Sequence, residues 1–263
     1  MQQFEFAKTS LFNIDYAIVD YDLAAKTIVQ MAALRRSFGV SALAVHGLVT
    51  AVKDCRVGDA VRSIDMVVPD GQPVRWALNI FHQAGLQDRV YGPTLTLHVL
   101  KMANEMGLSV FLYGSTKQTL DLLTKFIQEN YPSLRLAGTH VDRFRDATRD
   151  EDREDILKIN QSGAQIVLVG RGCPRQEIWV ADHLGKVNAA MMAVGAAFDF
   201  HAGTLRQAPH WMQKCGLEWF FRLLMEPRRL WKRYLMTNSY FIWLCFRELF
   251  NGFFGRKSRN QYR

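Results

Sequence analysis

The feature that most constrains this chain is a series of short, nearly continuous apolar runs with helical patterns between them. The runs are Val40–Val45, Ile64–Val68, Ser109–Tyr113, Ile166–Val169 and Ala190–Val194, with a weaker one at Leu134–Ala137. A strand with one wet face alternates apolar and polar residues; a strand covered on both faces does not. Helical periodicity fills the intervals at Gln72–Gln83, Thr94–Glu105, Thr116–Asn130, Asp150–Gln161 and Pro174–Leu184. Strand alternating with helix predicts crossover connections and a mostly parallel sheet, hence a Rossmann-like α/β sandwich. No internal repeat or low-complexity linker interrupts the pattern.

Charge then divides the chain. Residues 222–263 hold 10 of the 33 basic residues and 2 of the 25 acidic ones, so the rest balances at 23 of each and the net charge of +8 resides in the tail. A neutral body argues against a nucleic-acid-binding domain. A basic tail argues for an anionic surface as its partner. The expected division is a body over 1–215 and a basic, aromatic-rich helical appendage over 216–263. Met1–Ser10 lacks the apolar core of a signal peptide, and no apolar run nears the ~20 residues of a bilayer span. Phe241–Phe246 is stopped by Arg247 and Glu248. Cys55, Cys173, Cys215 and Cys245 show no metal-finger or C-x-x-C spacing and read as buried free thiols. A cytoplasmic protein, peripheral on a membrane, is expected.

Open parallel sheets bind ligands beyond the carboxyl ends of their strands. The loops there read His46-Gly47, Pro69-Asp70-Gly71, Gly114-Ser115-Thr116, Gly170-Arg171-Gly172-Cys173-Pro174 and Gly195-Ala196-Ala197-Phe198-Asp199. Gly114-Ser115-Thr116 opens a helix and suits either a phosphate or a plain N-cap. Asp70 suits either a general base or the N-cap of the helix over 72–83. Pro174 stands where the first helical residue is expected. The run at 170–175 lacks the third glycine of a dinucleotide fingerprint, which argues against a nicotinamide or flavin cofactor. Asp20-Tyr21-Asp22 and Asp150-Glu151-Asp152 have the spacing of metal-dependent sugar transferases. Asp22 reads instead as a cap for a helix over 23–37, and the second set as a solvated helix face, so no metal is expected.

Six segments, in order, resemble the WecG/TagA/CpsF glycosyltransferases of bacterial surface-polysaccharide assembly. They are Val67–Gly71, Arg89–Pro93, Phe111–Ser115, Gly172–Glu177, Val194–Asp199 and Gly216–Arg222, the last leading into Glu226–Leu230. The resemblance covers roughly residues 40–235. It implies inverting, metal-independent transfer from a UDP-sugar to a polyprenyl-diphosphate-linked sugar, on the inner face of the plasma membrane and without a cofactor. It maps the proposed base to Asp70 and a donor contact to Gln176. It also maps diphosphate-facing cations in the appendage to Arg222, Arg229 and Lys232. His46 stands where the family has an Asn that holds the donor, which leaves N-acetylmannosamine and a plain hexose both open as the transferred sugar. Gly71, Gly114, Ser115, Glu177, Gly195 and Asp199 complete the expected substrate-binding set. A peripheral membrane scaffold or nucleotide-binding protein without catalysis is the competing class.

Overall fold

The computed structural model describes the backbone of residues 6–259 and the side chains as far as residue 250. The chain begins with a hairpin, β1 (Lys8–Leu11) and β2 (Ile14–Ala17), then α1 (Tyr21–Ala33). Next come β3 (Phe38–Leu43), α2 (Val45–Lys53), α3 (Cys55–Ser63), β4 (Met66–Pro69), α4 (Gln72–His82) and α5 (Gly92–Glu105). They are followed by β5 (Ser109–Gly114), α6 (Lys117–Asn130), β6 (Arg135–His140), α7 (Arg149–Gln161), β7 (Ile166–Gly170), α8 (Arg175–His183) and β8 (Ala190–Ala193). The chain ends in helices: α9 (Ala197–His201), α10 (His210–Lys214), α11 (Glu218–Met225) and α12 (Pro227–Arg259).

Six strands form one sheet in the order β4-β3-β8-β7-β5-β6, and every pairing in it is parallel. The expected α/β class and parallel sheet are therefore present. Side chains alternate between two cores. Val110, Leu112, Ile166, Leu168 and Met192 face one, with Ile28 of α1, Leu95 and Val99 of α5 and Leu120 of α6. Phe111, Tyr113, Val167, Val169 and Met191 face the other, with Leu48 of α2, Val57 of α3, Val74 of α4 and Val180 of α8. Burial on both faces is the reason these strands read as unbroken apolar runs.

In the middle of the sheet, the helices that follow neighbouring strands depart to opposite faces. Thus α6 after β5 joins the first core and α8 after β7 the second, while α9 after β8 joins the first and α2 after β3 the second. Between such departures the carboxyl edge opens into a crevice.

The C-terminal helix is one continuous helix, and its faces differ. Leu230, Thr237, Phe241 and Leu244 are buried, at spacings of seven, four and three residues that make one stripe. That stripe lies on α2 and α4, and the Phe241 ring meets Phe12 of the hairpin edge-on at 6.1 Å. Trp231, Leu235, Met236, Trp243, Phe246, Leu249 and Phe250 are exposed on the same helix. The segment beginning at Phe241 is thus not a separate surface helix; it also holds the appendage to the body. Residues 251–254 of that segment lie outside the described side chains. No helix among the described residues is long and apolar enough to cross a membrane.

Several local expectations are corrected. Asp20, not Asp22, caps α1, accepting from Leu23 N at 2.8 Å. His46 lies in the first turn of α2 rather than in a loop. Pro174 is the N-cap of α8 rather than its first residue. Cys55 and Cys215 are exposed, because Cys55 opens a surface helix and Cys215 closes a short one. Asp150 and Arg153 pair across exposed helix surface, and Thr148 and Glu151 form a capping box at the start of α7, as a solvated helix face requires.

Candidate active site

A cavity of about 1030 Å³ opens along the carboxyl edge of the sheet under α11 and α12. It is large enough for a nucleotide sugar and part of an acceptor. The ends of β3, β4, β7 and β8 form its floor, and residues of α11 and α12 form its roof.

Asp70 stands on the floor, directly after β4. Its Oδ1 accepts a hydrogen bond from Gly92 N, the first residue of α5, at 2.6 Å. It does not cap α4, whose N-cap is Gly71 without a side-chain bond and whose first turn holds Pro73. Burial raises the Asp70 pKa from 3.8 to about 6, against the opposing pull of Arg89 and the Gly92 N–H. Such a carboxyl is mostly ionised at pH 7 and still basic enough to take a proton.

Beside it lies a buried ionic cluster. The Arg89 guanidinium pairs with Glu218 of α11 at 2.7 Å, donates to Gln213 Oε1 at 3.1 Å and lies 4.1 Å from the Tyr91 ring centre. Tyr91 donates its hydroxyl to Glu218 Oε1 at 2.7 Å. These contacts hold α10 and α11 onto the body. Gly216 permits the approach: its φ is +71°, and a Cβ there would come within 2.7 Å of the Trp76 ring.

The opposite wall carries amides and acids. Gln176 is buried, donates Nε2 to Glu177 Oε1 at 2.9 Å, and leaves its own Oε1 without a partner. Gly195 has a φ of +48°, and a Cβ there would sit 3.0 Å from that oxygen. Glu177 also accepts from Ser41 Oγ at 3.4 Å, and burial raises its pKa. His46 is pushed down to about 4 by burial and by Arg233, so its imidazole is neutral at pH 7, and its Nδ1 has no partner. Asp199 accepts from Thr119 and Thr204 hydroxyls, each at 3.4 Å.

The Gly114-Ser115-Thr116 turn does supply a helix cap. Thr116 caps α6, accepting from Thr119 N at 3.2 Å, and the Ser115 N–H is spent on Gly170 O at 2.9 Å. Ser115 and Thr116 still line the cavity, whereas Gly114 lies against Gly170.

Three arginines form the roof: Arg222 of α11, and Arg229 and Arg233 of α12. Arg222 leaves its buried Nε unpartnered and lies 5.9 Å from the Phe200 ring. Arg229 pairs with Glu226 at 2.8 Å. Burial, with Arg229 nearby, lowers the Arg233 pKa. Lys232 is not part of the cavity; its Nζ lies over the Trp231 ring at 5.5 Å. The available signal was helical spacing, since Arg229 and Arg233 are four apart and share a face. Arg89 and Arg171 of the body line the cavity too, so the tail is not the sole source of cations. Arg171 is held by Asp142 at 3.1 Å.

Together these features define a doubly wound α/β protein whose cavity at the sheet edge sets acids, Asp70 and Glu177 among them, beneath a roof of arginines. Residues 9–253 match the model of the glycosyl transferase WecG/TagA/CpsF family, and the chain belongs to that family. It is similar to N-acetylglucosaminyldiphosphoundecaprenol N-acetyl-beta-D-mannosaminyltransferase of Bacillus subtilis (strain 168), with 32% identity over 193 residues, 72% of each chain.

Proposed function

We propose that this glycosyltransferase moves a sugar from a UDP-sugar to a polyprenyl-diphosphate-linked sugar, with inversion and without a metal, and that Asp70 is the general base. The observation that carries the reading is the placement of Asp70, a half-buried carboxyl of raised pKa, on the floor of a cavity roofed by Arg222, Arg229 and Arg233. The acceptor hydroxyl loses a proton as its oxygen attacks the anomeric carbon, and Asp70 receives that proton. The bond from that carbon to the diphosphate breaks, and negative charge grows on the departing UDP. The arginines face that charge, and their planar forks suit phosphate oxygens.

The relative's name supports both the acceptor class and the stereochemistry. A β-linked product formed from an α-linked nucleotide sugar is inversion, which needs one displacement and one base. Gln176 Oε1 and His46 Nδ1, both buried and unpartnered on the cavity wall, are available to accept sugar hydroxyls, as is Glu177 Oε2. The exposed aromatic face of α12 and the basic residues near the end of the sequence suit the headgroup region of an anionic membrane, which supports a peripheral position beside the lipid-linked acceptor.

The deciding experiment has two arms. UDP should protect the protein against thermal unfolding, while DNA and RNA leave it unchanged. A panel of UDP-N-acetylmannosamine and UDP-hexoses, offered with a short-chain polyprenyl-diphosphate-linked N-acetylglucosamine, should give a β-linked disaccharide with one donor. A non-catalytic scaffold would show neither protection nor product.

A further inference from the structure

The mechanism leaves the buried ion pair of Arg89 and Glu218 unused. Arg89 is 6% exposed and needs a counter-charge. Asp70 is close enough for the two to influence each other's protonation. Yet among the described residues the ion pair of Arg89 is with Glu218, which reaches it from α11. Tyr91 fixes the other Glu218 oxygen, and its ring underlies the guanidinium. The nearby Asp88 is engaged elsewhere, by Gln72 Nε2 at 2.9 Å and by the Arg89 backbone N–H at 2.8 Å.

Resting on the reading of Asp70 as base, we propose that Glu218 is a positioning residue: it draws the Arg89 guanidinium off Asp70, so that the base stays free while α11 lies over the cavity. Without the Glu218 charge, Asp70 is the remaining carboxylate facing Arg89. The guanidinium then pairs with the base, which holds its carboxylate ionised, weakens it as a proton acceptor and turns it from the acceptor hydroxyl. Both Glu218 and Arg222 sit on α11, so one short helix brings a cation for the leaving group and clears the base.

The titratable groups facing Asp70 come from four elements: Tyr16 of β2, Tyr21 of α1, Arg89 and Tyr91 at the start of α5, and Glu218 and Arg222 of α11. The tyrosines are held neutral by burial. Of the charged groups that act on Asp70, Arg89 and Arg222 lower its pKa and Glu218 raises it, so removal of Glu218 leaves the two arginines. The Asp70 titration then moves down.

The test uses the full chain with carboxyl-labelled aspartate. The Asp70 carbon resonance is assigned by its loss in Asp70→Asn and followed against pH in the parent, in Glu218→Gln and in Tyr91→Phe. The expected midpoint near 6 falls by about one unit in Glu218→Gln. It falls by less in Tyr91→Phe, which keeps the charge but frees it. With UDP-N-acetylmannosamine and the short-chain acceptor, the acid limb of kcat/KM moves down by the same amount, and kcat drops about tenfold, a part of the full contribution of a general base. A merely structural Glu218 would lower kcat with the titration and the limb unmoved, and that result overturns the proposal while leaving Asp70 as base. Normal turnover by Asp70→Asn overturns both. If Glu218→Gln fails to fold, Tyr91→Phe alone decides, and an unmoved midpoint there also overturns the proposal.

Discussion

Replacing Asp70 by asparagine separates what the carboxylate does for chemistry from what it does for the fold, because the two effects have opposite signs. Asparagine has nearly the same shape and still accepts from Gly92 N, but it cannot take a proton. Loss of a general base lowers kcat by about 10²–10⁴. The effect on stability follows from linkage. The folded pKa, about 6, lies above the reference value of 3.8, so folding favours the protonated form. The stability from that preference is complete below 3.8 and is lost as pH rises through about 6. At pH 8 the ionised carboxylate therefore costs roughly 3 kcal/mol relative to a neutral group. Asp70→Asn removes that cost, so the variant should unfold several degrees higher than the parent at pH 8, and the gap should close near pH 4. Turnover of the short-chain acceptor and thermal unfolding by circular dichroism at both pH values measure the two effects. A variant with normal turnover removes Asp70 from the chemistry. One that is inactive yet less stable than the parent at pH 8 shows that the carboxylate is not desolvated as its burial requires.

Other expectations follow from the same geometry. The parent kcat/KM should fall about tenfold for each pH unit below 6, as Asp70 takes up its proton; a flat profile between pH 5 and 7 argues for another base. Arg233→Ala should weaken UDP protection against unfolding by tenfold or more in concentration, whereas Lys232→Ala, outside the cavity, should leave it within twofold; equal effects would restore the lysine. EDTA should leave transfer unchanged, and inhibition reversed by Mn²⁺ or Mg²⁺ would overturn metal independence. Trp243→Ala with Phe246→Ala should reduce binding to anionic liposomes at least fivefold while transfer to the short-chain acceptor persists. Undiminished liposome binding would remove the exposed face of α12 from the membrane.

Sheet strands were legible in the sequence wherever burial on both faces suppressed alternation, as at Ser109–Gly114 and Ile166–Gly170. The hairpin at Lys8–Leu11 and Ile14–Ala17 was not, because its strands are four residues long and Lys8, Ser10 and Asp15 face outward. The residue types on the site floor were legible from glycine-rich strand ends, but their partners were not. Asp70 could be a cap or a base until its bond to Gly92, 22 positions away, showed that it leaves α4 uncapped. Glu218 and Tyr91 are 127 positions apart, and no local pattern joins them. The structure brings Arg233 rather than Lys232 to the cavity, and the difference is one of register: one residue along a helix is about 100° of rotation, enough to move a cation from the cavity to the surface.

The two faces of α12 bear on where charge and apolar surface belong in this molecule. A tail used only as an anchor needs no buried stripe, and a packing helix needs no exposed Trp243, Phe246, Leu249 and Phe250. The helix has both, and its first two turns also carry Arg229 and Arg233 to the cavity. Its buried residues therefore fix the height of the exposed face relative to the cationic roof. Truncation after Tyr240 would delete Phe241 and Leu244, which pack in the body, so it would remove core contacts along with membrane surface. Loss of transfer in such a truncation could not be assigned to the membrane. Substitution of Trp243 and Phe246, which leaves the buried stripe intact, can be. Retained turnover on a short-chain acceptor, with turnover lost on acceptor embedded in anionic liposomes, would show that α12 sets the distance from lipid to Asp70. Equal loss on both would assign those side chains to the fold instead.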